Sequence, residues 1–497
     1  MVNPIVGILY GFVTLTYQIV FMIVPLRITI QNSMLSWFSP ALAIIGFVLM
    51  LLSMFGDFKR YRQKEMRIQW LLILVLLLST IANYDRGMKE NVRTIIWQAN
   101  LLLFVFSSYI QMGKITLNDD KHSVFFGWIS GVVRRIVFFL LLFIGIAAAG
   151  SLFQYFQLYY KELVTTDDVY HLGLFEGRLF GVFTTPYSAA LINCYAAVIA
   201  LFYAVFLKRG IFLFAIVSCL LSTTMVILSG TRSVMLGILL SIAVVAAMIL
   251  IQRNYETRGN KKVFLRTVRA VLFALCLSVG VYFVQLGYGK AIQLAAAWMN
   301  GLNGESNHNS YVLNQEWLIQ NNIARKDNSG NIASNRFGIW QDYVYILADR
   351  PEKLLLGYSP CGYMEYINNH YPDLFIVQYF KRKYPFYYRK HAIYDPHNSI
   401  LNVLISTGLS GLFLVGSFAV GSLKQIVERF RFGTLESLDY CLLVMLITSV
   451  TAMMFESDVF YQCNTTSVAF WMMMGIMHGR YQTGKDRYHV NNRQNYS

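Results

Sequence analysis

Residues 136–153 read IVFFLLLFIGIAAAGSLF and contain no charged side chain. A helix needs about 20 mostly apolar residues to cross the hydrocarbon core of a bilayer, and this stretch lies inside such a run at residues 133–158. Over all 497 residues, 56% of the side chains are hydrophobic and only 14% are charged. This composition argues against an ordinary soluble enzyme and predicts a polytopic membrane protein.

Twelve apolar runs of comparable length predict the fold class. We expect an all-α membrane helix bundle of about 12 transmembrane helices with one large extracytoplasmic loop. The expected domains are residues 1–287 with helices 1–9, residues 288–396 as the large loop, and residues 397–497 with helices 10–12 and a cytoplasmic tail. The predicted spans are residues 5–24, 35–55, 68–84, 92–112, 133–158, 179–207, 211–228, 233–251, 268–286, 398–423, 438–455 and 462–478.

The formal net charge of +16 invites a nucleic-acid interpretation, but the basic residues alternate with the predicted loops. Clusters such as residues 59–67 and 253–269 fall on one side, whereas the short loops on the other side contain few lysines and arginines. The positive-inside rule therefore places both termini in the cytoplasm. The charge reflects topology, and nucleic acid is not an expected partner.

This orientation puts the segment from Tyr288 to Pro396 outside the membrane, where so long a connection is usually functional. Apolar residues at near-helical spacing in residues 335–349 predict a short amphipathic helix. The stretch YFKRKYPFYYRK, residues 379–390, alternates basic and aromatic residues and suits an interface rich in lipid headgroups, so membrane lipids are expected contacts. An anchor in the aromatic belt is the simpler interpretation of this stretch.

Metal-binding motifs are absent from the sequence. There is no CxxC and no HExxH, and the histidines of the predicted outer loops have no metal-ligand spacing. The sequence predicts neither a metal nor another cofactor.

Three predicted spans, the sixth, eighth and tenth, begin on the outer side, so their unpaired N–H groups and positive dipole ends face outward. Arg178 precedes the sixth span, Arg232 the eighth, and His397 with Asn398 the tenth. Arginines beside helix N-termini favour an anion, and a histidine supplies a titratable neighbour. A lipid-linked diphosphate is the anion expected at this face.

Simpler roles exist for each of these residues taken alone. An arginine at a span boundary is often an interfacial anchor, and His397 could merely start a helix that Asp395 or Asn398 caps. Glu456 and Asp458, in the turn FESDVF, are secondary acidic candidates that could balance the arginines or contact sugar hydroxyls.

Four short motifs follow one another between residues 178 and 411. They are RLFGVFTTP before span six, SGTRS before span eight, NRFGIWQDYVYILADRPEKLLLGYSPCGY with Arg336, Trp340, Pro351, Gly357 and Gly362 in the large loop, and HN followed by GLSG. Their order resembles the bacterial O-antigen ligase and O-antigen polymerase superfamily of integral membrane glycosyltransferases, which implies that the chain lies in the inner or plasma membrane of a bacterial cell. Tyr187 departs from the family pattern, because relatives often have asparagine after the proline.

The resemblance implies a GT-C-like enzyme that works without metal and inverts the anomeric configuration. Undecaprenyl-diphosphate-linked glycan would be the donor, a second glycan the acceptor, and export and chain-length proteins of a polysaccharide system further partners. His397 would be the general base, held neutral by the positive end of its helix. The diphosphate would contact Arg178, Arg232 and Arg336, with Asp395, Asn398, Trp340 and Glu456 in support.

Polymerisation of repeat units into O-antigen, capsule or exopolysaccharide is the expected activity. A ligase that transfers glycan from the same donor to another acceptor is the alternative, and a flippase for lipid-linked oligosaccharides is a more distant one. A transporter of the major-facilitator type is disfavoured because its long central loop lies in the cytoplasm, between spans six and seven.

Overall fold

A computed structural model describes residues 4–117, 124–165, 168–206, 211–257, 263–299, 336–383, 385 and 395–495. The helices are α1 (Pro4–Phe21), α2 (Val24–Gln31), α3 (Phe38–Gly56), α4 (Phe58–Tyr61), α5 (Arg67–Ile81), α6 (Met88–Ala99), α7 (Phe106–Leu117), α8 (Val124–Phe156), α9 (Pro186–Phe206), α10 (Phe212–Leu228), α11 (Arg232–Thr257), α12 (Val263–Met299), α13 (Arg336–Asp349), α14 (Gly362–His370), α15 (Phe375–Lys383), α16 (Ser399–Arg431), α17 (Ser437–Met453) and α18 (Thr465–Asn495). A π-helical turn, Asn100–Val105, joins α6 to α7.

Within the described residues, 8 helical segments are long and apolar enough to cross a membrane, and α10 and α17 are shorter apolar helices. The chain is therefore a multi-pass membrane protein with a helical bundle. The predicted number of 12 spans is not confirmed. The third predicted span, for example, is the 15-residue helix α5, because the polar residues of the turn after Ile81 end it early.

A small antiparallel sheet is the part of the fold that the all-α prediction missed. Its strands are β1 (Tyr160–Val164), β2 (Val169–Phe175) and β3 (Arg178–Gly181), paired in that order. Glu176 and Gly177 both have positive φ and form the two-residue turn between β2 and β3, as hairpins of this length require. The sixth predicted span accordingly begins at Pro186, not at residue 179, because β3 and a short turn come first.

The sheet buries one face only. Tyr170 and Leu172 of β2 pack with Val24 at the start of α2, and Leu174 and Leu179 join the main core. Alternate residues of a strand point to opposite faces. The side chains on the other face are therefore left partly exposed at the end of the bundle from which α9 begins.

Helix α16 is broken at Gly408, whose φ of 66° is outside the helical region. The loop before α14 supplies partners for the backbone on both sides of the break: Tyr358 N–H donates to Ile405 O, and Leu409 N–H to Leu354 O, each at 2.8 Å. Irregular backbone inside a membrane protein requires such partners. The loop is thereby attached to the helix that carries His397 at its start.

The described part of the large loop has its own core. Helices α13, α14 and α15 surround a cluster that includes Tyr343, Ile367 and Ile376. The predicted amphipathic helix is found as α13. The large loop was predicted to begin at residue 288, but α12 continues to Met299, since no proline interrupts its apolar run. Residues 300–335, and residues 384 and 386–390 of the predicted interface stretch, lie outside the described residues.

A cluster of buried charged side chains joins α16, α17 and α18 at a distance from His397. Asp439 accepts two hydrogen bonds of 2.6 Å from Arg429 and one of 2.6 Å from Arg480. All three side chains are at most 2% exposed. Buried arginines need such pairing, so this cluster fixes the relative position of three helices at the end of the bundle opposite the N-terminus of α16.

Candidate active site

Arg178, the first residue of β3, reaches the turn before α11. Its Nε donates to Ser229 O at 3.2 Å, and its Nη2 donates to Thr231 Oγ1 at 3.3 Å. Gly230 between them has a φ of 62°, a conformation that glycine adopts without steric cost. The SGTRS turn thus holds the guanidinium at the N-terminus of α11.

Thr231 also joins the N-termini of α9 and α11, because its hydroxyl donates to Pro186 O at 3.1 Å. Both helices begin with N–H groups that have no partner within their own helix, and these ends carry partial positive charge. Arg178 lies beside both of them. Such an arrangement favours an anion, and the diphosphate-binding role of Arg178 stays a prediction.

The second half of the site is a hydrogen-bonded row of Arg336, Glu456 and His397. Arg336 Nη2 donates to Glu456 Oε1 at 2.6 Å, and His397 Nδ1 lies 3.0 Å from Glu456 Oε2. The Glu456 side chain is 17% exposed. Its carboxylate therefore connects a loop arginine to the predicted catalytic histidine, a more direct role than the secondary one that the sequence suggested.

Backbone geometry fixes His397 in this row. Asn398 is the N-cap of α16, with its side-chain oxygen accepting from Ile400 and Leu401 N–H, and its amide donates to Met454 O at 2.9 Å. His397 has a φ of 46°, which is uncommon for a residue with a side chain. Asp395 supports it by accepting from His397 N–H at 2.8 Å.

Asn398 N–H also donates to Ser457 Oγ at 3.1 Å, and Ser399 Oγ donates to Glu456 O at 2.8 Å. These bonds hold the turn after α17 against the start of α16. Trp340 of α13, in the large loop, contacts the residue before His397: its indole N–H donates to Pro396 O at 3.0 Å. Sequence reasoning missed Ser229, Thr231 and Ser457, although the first two belong to the quoted SGTRS turn.

The Arg178 turn and the row of Arg336, Glu456 and His397 interact electrostatically through Glu456. Burial works against the charged form of Glu456, but its hydrogen bond to His397 and the charges of His397, Arg336 and Arg178 lower its pKa below the usual value. Asp458, two residues later, has a pKa well above its usual value because it is buried beside the carboxylates of Glu456 and Asp395. The site thus contains one carboxylate held ionised and one that favours its protonated form.

The histidine is charged at neutral pH, contrary to the neutral state inferred from the helix end. Burial lowers its pKa, but the hydrogen bond and charge of Glu456, together with Asp395, raise the pKa of His397 to about 9. A carboxylate at 3.0 Å outweighs the partial charge of a helix N-terminus, which is roughly half an elementary charge. His397 and Glu456 form an ion pair before substrate arrives.

Asp395, His397 and Glu456 could together hold a metal ion, because one ligand atom from each lies within 4.8 Å of the others. The guanidinium of Arg336 already lies 2.6 Å from one Glu456 oxygen, and a second cation there would be repelled. The absence of a metal stays a prediction.

Arg232 is the first residue of α11, and its side chain is exposed. It lies at the same end of α11 as the contacts of Arg178, and its role in binding stays a prediction. The other predicted residues form the two halves described above.

Residues 217–416 match a family model described as O-antigen ligase. The resemblance to the O-antigen ligase and polymerase superfamily is confirmed over this region. The matched region contains six of the predicted site residues: Arg232, Arg336, Trp340, Asp395, His397 and Asn398. Arg178 and Glu456 lie outside it, and they are joined to it by the contacts with Ser229, Thr231, Arg336 and His397. No curated protein and no solved structure matches the chain.

Proposed function

We propose that the protein is an inverting membrane glycosyltransferase that polymerises undecaprenyl-diphosphate-linked oligosaccharide repeat units into a surface polysaccharide. The observation that carries this proposal is the row Arg336–Glu456–His397 beside the Arg178 turn. It combines cations for a diphosphate with a histidine–carboxylate pair for proton transfer. The match to the O-antigen ligase family supports the same reaction class.

The diphosphate would lie between Arg178 and Arg336. Each guanidinium has five N–H donors, and the described contacts of Arg336 with Glu456 use only one of its ends. Cations beside a leaving diphosphate stabilise the charge that grows on it as the sugar departs. These arginines would serve in place of a divalent metal ion.

His397 would accept the proton of the acceptor hydroxyl through Nε2 while Glu456 holds Nδ1. The acceptor oxygen then bonds to the anomeric carbon, and the bond from that carbon to the diphosphate breaks with its electron pair. One displacement inverts the configuration. Because the pKa of His397 is about 9, the neutral base is a minority at pH 7, and we expect the rate to rise with pH towards that value.

A ligase reaction is the second candidate, favoured by the description of the matched family. Polymerase and ligase would share the donor site and differ only in the acceptor. The long outer loop, rich in aromatic and basic residues, favours a site that holds two lipid-linked glycans, and for this reason we place the polymerase first. The active site would face outward, with both termini in the cytoplasm of a bacterial cell.

The experiment is an assay in proteoliposomes with a lipid-diphosphate-linked repeat unit as the sole sugar substrate. A ladder of lengthened glycans supports the polymerase. Transfer that begins only after a second acceptor is added supports the ligase. Movement of lipid across the bilayer without transfer would contradict both.

A further inference from the structure

The exposed face of the β1–β3 sheet carries four rings, which we call the aromatic face: Tyr160, His171, Phe175 and Phe180. The rings of His171 and Phe175 are nearly parallel, with centroids 4.1 Å apart and an interplanar angle of 9°. Tyr160 lies parallel to Phe175 at 5.2 Å, and Phe180 meets the edges of His171 and Phe175. The core contacts of the sheet come from its opposite face, and these rings are at least partly exposed.

Gly173 explains how the rings come together. It lies between His171 and Phe175 on the same face of β2, and it pairs with Tyr160 across the sheet. Its φ of 79° lets the backbone of Tyr159 approach closely. A Cβ on residue 173 would lie 1.9 Å from the carbonyl oxygen of Tyr159, so glycine is required here.

Polar groups border the rings. The Tyr160 hydroxyl donates to Glu162 Oε2 at 3.1 Å and lies 3.2 Å from His171 Nδ1. Tyr160 is 38% exposed, and the Glu162 side chain is 48% exposed. Glu176 lies close enough to act electrostatically on both Tyr160 and His171. The surface therefore combines apolar ring area with carboxylate acceptors.

The aromatic face is continuous with the candidate active site. Phe175 pairs directly with Arg178 across the β2–β3 turn, and side chains of such a pair have Cβ atoms about 5 Å apart. The Arg178 guanidinium contacts the turn before α11. A group that adjoins a diphosphate bound by Arg178 would therefore lie on the face of the sheet that carries these rings.

We propose that the aromatic face binds the sugar rings that adjoin the diphosphate of the lipid-linked glycan. Sugars have apolar C–H faces that pack on the electron-rich faces of aromatic rings, and hydroxyls that donate to carboxylates such as Glu162. The carboxylates at the border repel anionic lipid headgroups, which favours a sugar over such a lipid as the occupant. The inference rests on the proposed function, because the glycan-bearing diphosphate is its ligand.

The test compares two probes on the full chain in detergent: undecaprenyl diphosphate, and the same lipid carrying the repeat unit extracted from the producing cells. We expect Phe175→Ala and Tyr160→Ala each to weaken binding of the glycan-bearing lipid by about fivefold, which corresponds to an aromatic contact of about 1 kcal/mol. Binding of the bare lipid should not change. Tyr160→Phe, which keeps the ring, should retain most of the affinity.

Tyr84→Ala is the matched control, because Tyr84 is an exposed aromatic residue in the turn after α5. It should bind both probes normally. Equal weakening of both probes in Phe175→Ala would mean that the face supports the fold or contacts lipid, and would overturn the proposal. Unchanged binding of the glycan-bearing lipid would overturn it as well.

Binding of the soluble oligosaccharide released from the lipid tests this proposal independently of the proposed function. Saturation-transfer NMR should detect the oligosaccharide on the unmodified chain and lose the signal in Phe175→Ala. If this result appears in a preparation that transfers no sugar to any acceptor, the glycosyltransferase function is wrong while the glycan site stands. If neither form of the glycan binds, both proposals are wrong.

Discussion

Replacing Glu456 with glutamine tests the ion pair at the centre of the site. The amide keeps the shape and can still accept from His397 Nδ1, but it removes the negative charge. Unit charges 3.0 Å apart attract by about 5.5 kcal/mol at an effective dielectric constant of about 20, equivalent to about four pKa units. The His397 side chain is 34% exposed, so solvent screens part of this, and we expect a fall of two to four units.

The pKa of His397 would then drop from about 9 to between about 5 and 7. A base is active when deprotonated, so the rate of sugar transfer should rise through about pH 9 in the unmodified chain and through a pH at least two units lower in Glu456→Gln. The limiting rate should fall roughly tenfold, because a weaker base transfers protons less effectively. The assay is the pH dependence of kcat/KM in proteoliposomes.

Glu436→Gln is the matched control, because Glu436 pairs with Arg480 in the buried cluster and not with the site. Its pH profile should equal that of the unmodified chain. An unchanged profile in Glu456→Gln would refute the assignment of His397 as the base. A rate that falls as the pH rises through 9 would instead mean that His397 acts as a cation.

Three further outcomes are expected. Arg178→Lys keeps a positive charge but loses the planar fork, so KM for the lipid-linked donor should rise about tenfold while thermal unfolding is unchanged. Asp439→Asn should lower the free energy of unfolding by about 3–5 kcal/mol, because two buried arginines lose their carboxylate, and a thermal-shift assay in detergent should show it. EDTA should leave the transfer rate unchanged, and stimulation by added Mg²⁺ would assign Asp395, His397 and Glu456 to a metal.

The sequence predicted the helical membrane fold because long apolar runs are readable one at a time. It also placed His397 directly before the start of a helix, whereas Arg178, expected at the start of the sixth span, is the first residue of β3. It did not locate the sheet, because three short strands and their turns look like one polar connection when their neighbours are apolar spans. The pair Glu176-Gly177, flanked by the alternating pattern of residues 169–175, was the available hairpin signal.

The role of Glu456 could not be read from the sequence. It lies 59 residues beyond His397 and 120 beyond Arg336, and only tertiary packing brings the three together. The charge state of His397 depends on that carboxylate. The helix end alone predicted a neutral histidine, whereas Glu456 raises the pKa of His397 and favours its charged form. Local features were predictable here, and long-range pairs were not.

The most direct test of the central claim is the proteoliposome assay with a lipid-diphosphate-linked repeat unit, comparing the unmodified chain with His397→Ala and Arg178→Ala. We expect a ladder of lengthened glycans from the unmodified chain and none from either variant, with all three proteins equally folded. A full ladder from His397→Ala would contradict the account.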